Sequence, residues 1–357
     1  MRSVLTFIIF TFTSMSSFSQ ECEKEVKIND FQPKYSKFFK ISFFKNFKMV
    51  EMNLPTFKDK FLVSDKPLHC KTDLTIFSHK GERIIATSTT HLPFLTHFKL
   101  EKKLVGFQGV NYINGFQHKI ENINFVLNPE ELLSLKPDIV IAYLSNLGSL
   151  ESQARLKSLR KLGIPVVLNF DYAERHPLAR AEWLVFNALF VGREKEAIDF
   201  FSKVENDYHA LKESVKNKTV KKILVGSIVE GRWVMPGGLS DLSILIQDAK
   251  GEMLFSQPNQ DTQQLSLEIL FNQPIKAELW IAHNMWQNKK ELKKDSRYKM
   301  LDEIPLYNND KRLNKYGFND YWQMGLARPD MLLKDLITLF HDEKRNNDKL
   351  VWYRPLK

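Results

Sequence analysis

Cysteine is nearly absent: two residues, Cys22 and Cys70, in a chain of 357. Neither stands in the spacing of a zinc site or beside the partners of a catalytic nucleophile, so at most one disulfide can form. Also missing are a Gly-x-Ser-x-Gly elbow, a phosphate-binding P-loop and a dinucleotide glycine fingerprint, and Gly231 with Gly237-Gly238 does not make one. Without these signatures the chain is read as a binding protein and not as an enzyme. No histidine-rich tract, low-complexity segment or solenoid repeat is present. Nor is there a long basic block: 52 Lys and Arg are scattered among 42 Asp and Glu. The net charge of +10 therefore reads as a solvated surface with a mild pull on anionic ligands, not as a nucleic-acid site.

What is present begins with Met1-Arg2 and the apolar run Val4-Leu5-Thr6-Phe7-Ile8-Ile9-Phe10, too short for the roughly 20 residues that span a bilayer. With Ser17-Phe18-Ser19 it reads as a secretory signal cleaved after Ser19. Export places Cys22 and Cys70 in an oxidising compartment, where they can pair. Lipid modification of Cys22 is the alternative, disfavoured because Ser19-Gln20-Glu21 lacks the small, apolar pattern that such processing requires.

The body of the chain is organised around residues 128–143. Asn128 suits an N-cap, Pro129 the first helical position, and Glu130 and Glu131 the positive end of the helix dipole. Leu132, Leu133 and Leu135 give an apolar face before Lys136-Pro137 ends the helix. Ile139-Val140-Ile141 is an unalternated apolar run, as in a parallel strand covered on both sides. A second helix-strand unit follows over 155–168 with Gly163 as its cap. Strands are expected at 83–86, 104–107, 222–227 and 278–282, and helices at 91–98, 240–249, 265–271 and 332–340. Residues 34–63 read as an antiparallel hairpin turning at Asn46. From 176 to 217, Phe201, Val204, Tyr208, Leu211 and Val215 recur at helical spacing, which predicts one long helix or two collinear ones. The expected architecture is α/β: a signal over 1–19, an N-terminal lobe over 20–172 with an extra hairpin, a linker helix over 173–217 and a C-terminal lobe over 218–357.

Taken together, Arg83-Ile84-Ile85-Ala86-Thr87-Ser88-Thr89, Leu104-Val105-Gly106, the 128–143 stretch, Leu162-Gly163-Ile164-Pro165-Val166-Val167, Gly192-Arg193-Glu194, Gly237-Gly238 and Leu265-Ser266-Leu267-Glu268 resemble the periplasmic substrate-binding proteins of ABC importers for iron complexes and cobalamin. Asn319-Asp320-Tyr321-Trp322 and Arg328-Pro329-Asp330 resemble a Bacteroidetes-type subset of that family. The resemblance implies two α/β lobes with mainly parallel sheets, one rigid linker helix and a ligand cleft between the lobes. It also implies one acid per lobe that docks on permease arginines, here Glu130 and Glu268, with Glu131 as a neighbouring candidate for the first. Helix-start carboxylates suit that task because they are oriented toward guanidinium partners. The implied partner is an ABC permease with its ATPase at the inner membrane, served from the periplasm by a monomer with no intrinsic cofactor.

Ligands of open α/β sheets lie outside the carboxyl ends of the strands, which selects loops 87–91, 108–118, 143–148, 230–233 and 283–286. Tyr112, Phe116, Tyr143, Trp233 and Trp286, with Trp322 from the C-terminal region, are the expected aromatic walls, and Arg232 the expected partner of an anionic chelate. The cargo is read as a ferric siderophore or haem, with cobalamin as the alternative. A bare zinc or manganese site is the third reading. It would draw on His91, His118, His176 and His283, although no close ligand pair is present. His118 or His91 would be the group to touch haem iron.

Overall fold

The computed structural model describes residues 21–124, 126–144, 149–259, 261–272, 274–283, 286–342 and 346–357. The expected signal segment lies outside these, as do 145–148 and 284–285 of two expected ligand loops. Among the described residues no helix is long and apolar enough to cross a membrane.

In the first lobe five strands pair in parallel, in the spatial order Val166–Leu168, Ile139–Ala142, Ile84–Ala86, Leu104–Phe107, Glu121–Asn122. The chain lays its first strand at the centre, builds outward on one side, then crosses to the other. The resulting switch point lies between Ile84–Ala86 and Ile139–Ala142. Both strands are buried at every residue, as their unalternated apolar runs require. The helix that feeds the second of them, Pro129–Ser134, starts as expected: the Asn128 side chain accepts from Glu130 N at 2.9 Å. The next helix runs over Leu150–Lys161, five residues earlier than its expected start, and ends at Gly163 with φ 79°.

A second sheet has the order Gly251–Met253, Lys221–Val225, Leu279–Ile281, Leu306–Asn308, Arg354–Pro355, parallel except for the last strand. Helices Asp241–Asp248, capped by Ser240, and Pro329–His341 cover it. Beside it stands a small antiparallel sheet, Ser227–Val229, Arg232–Met235 and Gln263–Ser266. The expected helix over 265–271 therefore starts two residues late, with Leu265 and Ser266 in the strand and Leu267–Phe271 helical.

Two expectations need correction. The N-terminal hairpin exists, with Phe43 paired to Lys48, but it belongs to a five-stranded sheet of Asn29–Phe31, Phe39–Phe43, Lys48–Asn53, Lys58–Val63 and Thr75–Phe77. Its outer face packs on the Cys22–Cys70 disulfide through Phe47, Met49 and Leu62. Its inner face sets Phe39 and Phe61 against Trp183, Phe186 and Phe190.

The second correction concerns 176–217, which is neither one helix nor two collinear ones. Helix Pro177–Ala188 runs into a 3₁₀ turn, Leu189–Val191, and Gly192 at φ 65° reverses the chain into helix Glu194–Ser214. The two helices lie side by side, so that the rings of His176 and Tyr208, from opposite ends of the segment, come within 6.1 Å. Every residue of Pro177–Ala188 except Arg180 is buried. This helix touches first-lobe helix Pro93–His97 on one side and second-lobe helices Asp241–Asp248 and Pro329–His341 on the other.

Candidate ligand cleft

Strand Ile84–Ala86 delivers Thr87, Ser88 and Thr89 to the carboxyl end of the first sheet. Thr87 Oγ1 accepts from Tyr143 N at 2.6 Å and so ties the two strand ends across the switch point. The Ser88 side chain caps the short turn Thr89–His91 by accepting from Thr90 N. These hydroxyls floor a cavity of about 300 Å³ walled by Phe107, Gln108 and Tyr112 from the first lobe and by Phe318, Asn319 and Trp322 from the second. Thr89 Oγ1 donates to Trp322 O at 2.9 Å across the lobe boundary.

The far wall is rigid for local reasons. Asn319 caps the turn Asp320–Trp322 by accepting from Tyr321 N at 3.0 Å, and its amide nitrogen donates to Asn309 O at 2.8 Å. Trp322 stays 46% exposed, free to stack on an occupant, while its edge contacts Tyr321 at 4.8 Å and His283 at 6.0 Å behind it. His283 shares a hydrogen bond of 3.2 Å with the Tyr353 hydroxyl. Burial pushes its imidazole down to about 4, against the opposing pull of Asp241, so this ring is neutral at ordinary pH. Tyr112 is likewise 40% exposed and packs edge-on to Phe318 at 4.2 Å.

Of the expected aromatic walls, the structure brings Tyr112 and Trp322 together in this cavity. Phe116 lines a separate open groove of about 600 Å³, with His118, Lys119, Lys315 and Tyr316, on the other side of the same loop. Tyr143 is exposed beyond the cavity and packs edge-on to Tyr172 at 4.7 Å. Trp286 is partly buried against Trp280 and Tyr298. Trp233 is a correction: it is fully buried and donates through Nε1 to Val225 O at 2.9 Å, a core side chain with its only polar atom satisfied. Arg232 is also displaced, because strand register sets it opposite Ser266 and next to the helix that bears Glu268, outside the cavity. Phe107 and Phe318 were not singled out by sequence as cavity walls, and Asn319 only as part of a family motif. The signal available for Phe318 was its adjacency to the Asn319-Asp320-Tyr321-Trp322 motif.

The histidines do not converge. Among the described residues no group of three or more His, Cys, Asp or Glu is placed to hold a metal ion. His91 is fully buried with Nδ1 on Ile141 O at 3.1 Å, out of reach of cargo in the cavity, which corrects its expected contact with haem iron. His118 pairs through Nε2 with Leu104 O at 2.8 Å, and His176 Nδ1 accepts from Leu178 N at 3.1 Å.

The two docking candidates sit on exposed helix starts. Glu130 is exposed and its carboxylate has no partner among the described residues, whereas the Glu131 carboxylate accepts from Asn124 N at 3.1 Å and is engaged locally. Glu268 is exposed in the first turn of a helix capped by Ser266.

The periplasmic binding protein family matches residues 84–311. An uncharacterised lipoprotein of Methanocaldococcus jannaschii is 24% identical over 284 residues, which are 73% of this chain and 65% of the relative. The chain thus spans less than two thirds of that relative's length. A periplasmic haem-binding protein of Vibrio cholerae matches with TM-score 0.54 at 17% identity, covering 72% of this chain and 98% of its own. A periplasmic vitamin B12-binding protein of the same organism matches with TM-score 0.50 at 16% identity, covering 72% and 96%. At such identities the likeness establishes the two-lobed α/β fold with parallel-sheet cores. The family and these neighbours are solute-binding proteins, not enzymes.

Proposed function

We propose that this chain, which belongs to the periplasmic binding protein family, captures an iron chelate, a ferric siderophore or haem, and hands it to an ABC permease with its ATPase at the inner membrane. The observation that carries this reading is the cavity at the first lobe's switch point, where exposed Tyr112 and Trp322 stand over a floor of threonine and serine hydroxyls. Flat aromatic walls with a few polar groups suit a planar or bulky chelate. About 300 Å³ is at the small end for ligand pockets. A macrocycle or siderophore would therefore project from it into solvent, and the net charge of +10 favours an anionic complex.

In this reading Glu130 and Glu268 meet arginines of the permease, one per lobe, and Glu131 is the poorer candidate because it already holds Asn124. The protein works as a soluble monomer released into the periplasm. The lipoprotein relative raises anchoring through Cys22, but a lipid thioether there would break the pair with Cys70 and leave that cysteine unpaired. The disulfide supports release.

Titration of the purified mature protein with haemin, a ferric catecholate, a ferric hydroxamate, cyanocobalamin and zinc, followed by visible absorbance and tryptophan fluorescence, tests the reading. Stoichiometric uptake of an iron chelate is expected. Preferential uptake of cyanocobalamin would move the cargo to a corrinoid, and tight uptake of zinc alone would overturn the proposal.

A further inference from the structure

The second lobe grips the first at one edge of the cleft through a short segment, residues 313–323. The segment is preformed. Leu313 and Asn319 make an antiparallel bridge, the chain turns at Gly317 with φ 84°, and the Asn314 side-chain oxygen accepts from Tyr316 N and Phe318 N at 2.9 and 3.0 Å. Arg312 pairs with Asp320 at 2.8 Å across its base. A tongue braced in this way loses little further freedom when it binds something else.

What it binds is the backbone of the first-lobe loop 111–114. Asn314 Nδ2 donates to Asn111 O at 2.8 Å and to Ile113 O at 3.0 Å. Gln323 Oε1 accepts from Asn114 N at 2.9 Å while its Nε2 donates to Asn114 O at 3.0 Å. One side-chain amide thus pairs both polar groups of one backbone residue, as a neighbouring strand would, at a position only 1% exposed. Carboxylate, hydrocarbon and ammonium side chains each lack the donor, the acceptor or both. The loop so held carries Tyr112, and the tongue carries Phe318, Asn319 and Trp322, so the grip and the cavity walls are built from the same two pieces of chain.

We infer that the tongue is an interlobe clamp, and that Gln323 and Asn314 are positioning residues which fix the spacing of Tyr112 from Trp322 and thereby the bulk of cargo the cleft accepts. The cargo half of this inference rests on the chelate-binding reading; the clamp half does not. Opening the cleft at this edge means giving up all of these amide bonds together, two of them at a buried position where water does not replace them at once. Size selection then follows from a fixed gap, not from contacts that recognise a particular metal complex.

The test uses Gln323→Met, which keeps the volume and removes both amide contacts, and Asn314→Ala, which leaves Gln323 in place should the buried change impair folding. In ligand-free protein, exchange of the Asn114 amide proton should quicken by about ten-fold or more in either variant, the scale set by losing two hydrogen bonds. The ratio of affinities for cyanocobalamin and haemin, measured on wild type and variants, should shift by about ten-fold toward the bulkier corrinoid. Unchanged Asn114 exchange in both variants would overturn the clamp. Faster exchange with an unchanged affinity ratio would overturn its role in size selection. Uptake of neither probe by the wild type would overturn selection between these two cargoes, with the chelate reading decided by the siderophore titration and the clamp by the exchange rate.

Discussion

Trp233 and Trp322 show how one residue type meets opposite fates. Both stand near strand ends or loops where a ligand wall is expected, yet Trp233 satisfies its indole nitrogen on Val225 O inside the core while Trp322 is held 46% exposed. Nothing in a single sequence separates these cases, because pocket lining and core draw on the same side chains. The neighbouring glutamates are better discriminated by structure than by sequence, since only Glu131 has an internal partner. The double variant Glu130→Ala with Glu268→Ala should bind cargo with unchanged affinity and fail to stimulate the ATPase of its reconstituted importer; undiminished stimulation would remove the docking role. A pH effect belongs at this scale too. His283 is depressed from 6.5 to about 4 in the folded protein, so the unfolded chain takes up the proton first as pH falls. The stability it contributes is whole above 6.5 and lost between 6.5 and 4. In urea unfolding at pH 7.5 and pH 5, His283→Asn should lose about 1–2 kcal/mol less between the two conditions than the wild type does, since each tenfold difference in proton affinity between folded and unfolded chain is worth about 1.4 kcal/mol. Asn suits the site because residue 283 has φ 45°.

At the scale of elements, legibility followed length and patterning. Capped helix Pro129–Ser134 and buried strand Ile139–Ala142 were readable because Asn128, Pro129 and the apolar run each give the same answer. Strands Asn29–Phe31 and Thr75–Phe77 were not, since three residues are too few to display a period of two. The helical hairpin was missed for a different reason: a repeat of 3.6 fixes which face is apolar but not whether the chain runs on or turns back. A usable signal did exist. Residues 177–191 are apolar except at Arg180, Glu182 and Asn187, as befits a helix enclosed by both lobes, whereas Glu194–Ser214 keeps a single stripe of Ala197, Phe201, Val204 and Tyr208. The reversal depends on Gly192, where a Cβ would also come within 3.1 Å of His79. Gly192→Ala should cost about 1–2 kcal/mol, the cost of a side chain in left-handed backbone, and lower the midpoint of chemical unfolding. An unchanged midpoint would mean that the turn is not held as described.

At the scale of the whole molecule, the two lobes are built on parallel sheets of different strand order and meet across one buried helix. The first follows the order that places its switch point at Thr87 and Tyr143, and there the strand ends supply hydroxyls. The second contributes less from its own strand ends than from the excursion after Leu306–Asn308, which reaches back across the boundary with Phe318, Asn319 and Trp322. That is why the two-lobed architecture was legible from the order of helices and strands while of the far wall only Trp322 was expected: that wall comes from an irregular segment with no periodic signal. Cargo lying between Tyr112 and Trp322 is the claim on which the rest depends. The most direct measurement is a paired titration of wild type and Trp322→Ala with whichever chelate the wild type takes up most tightly, with the unfolding midpoint of each protein as a control. A loss of affinity of about ten-fold or more at an unchanged midpoint is predicted, the scale of one aromatic stacking partner with its buried area. Undiminished, stoichiometric uptake by Trp322→Ala would contradict that claim and place the cargo elsewhere on the molecule.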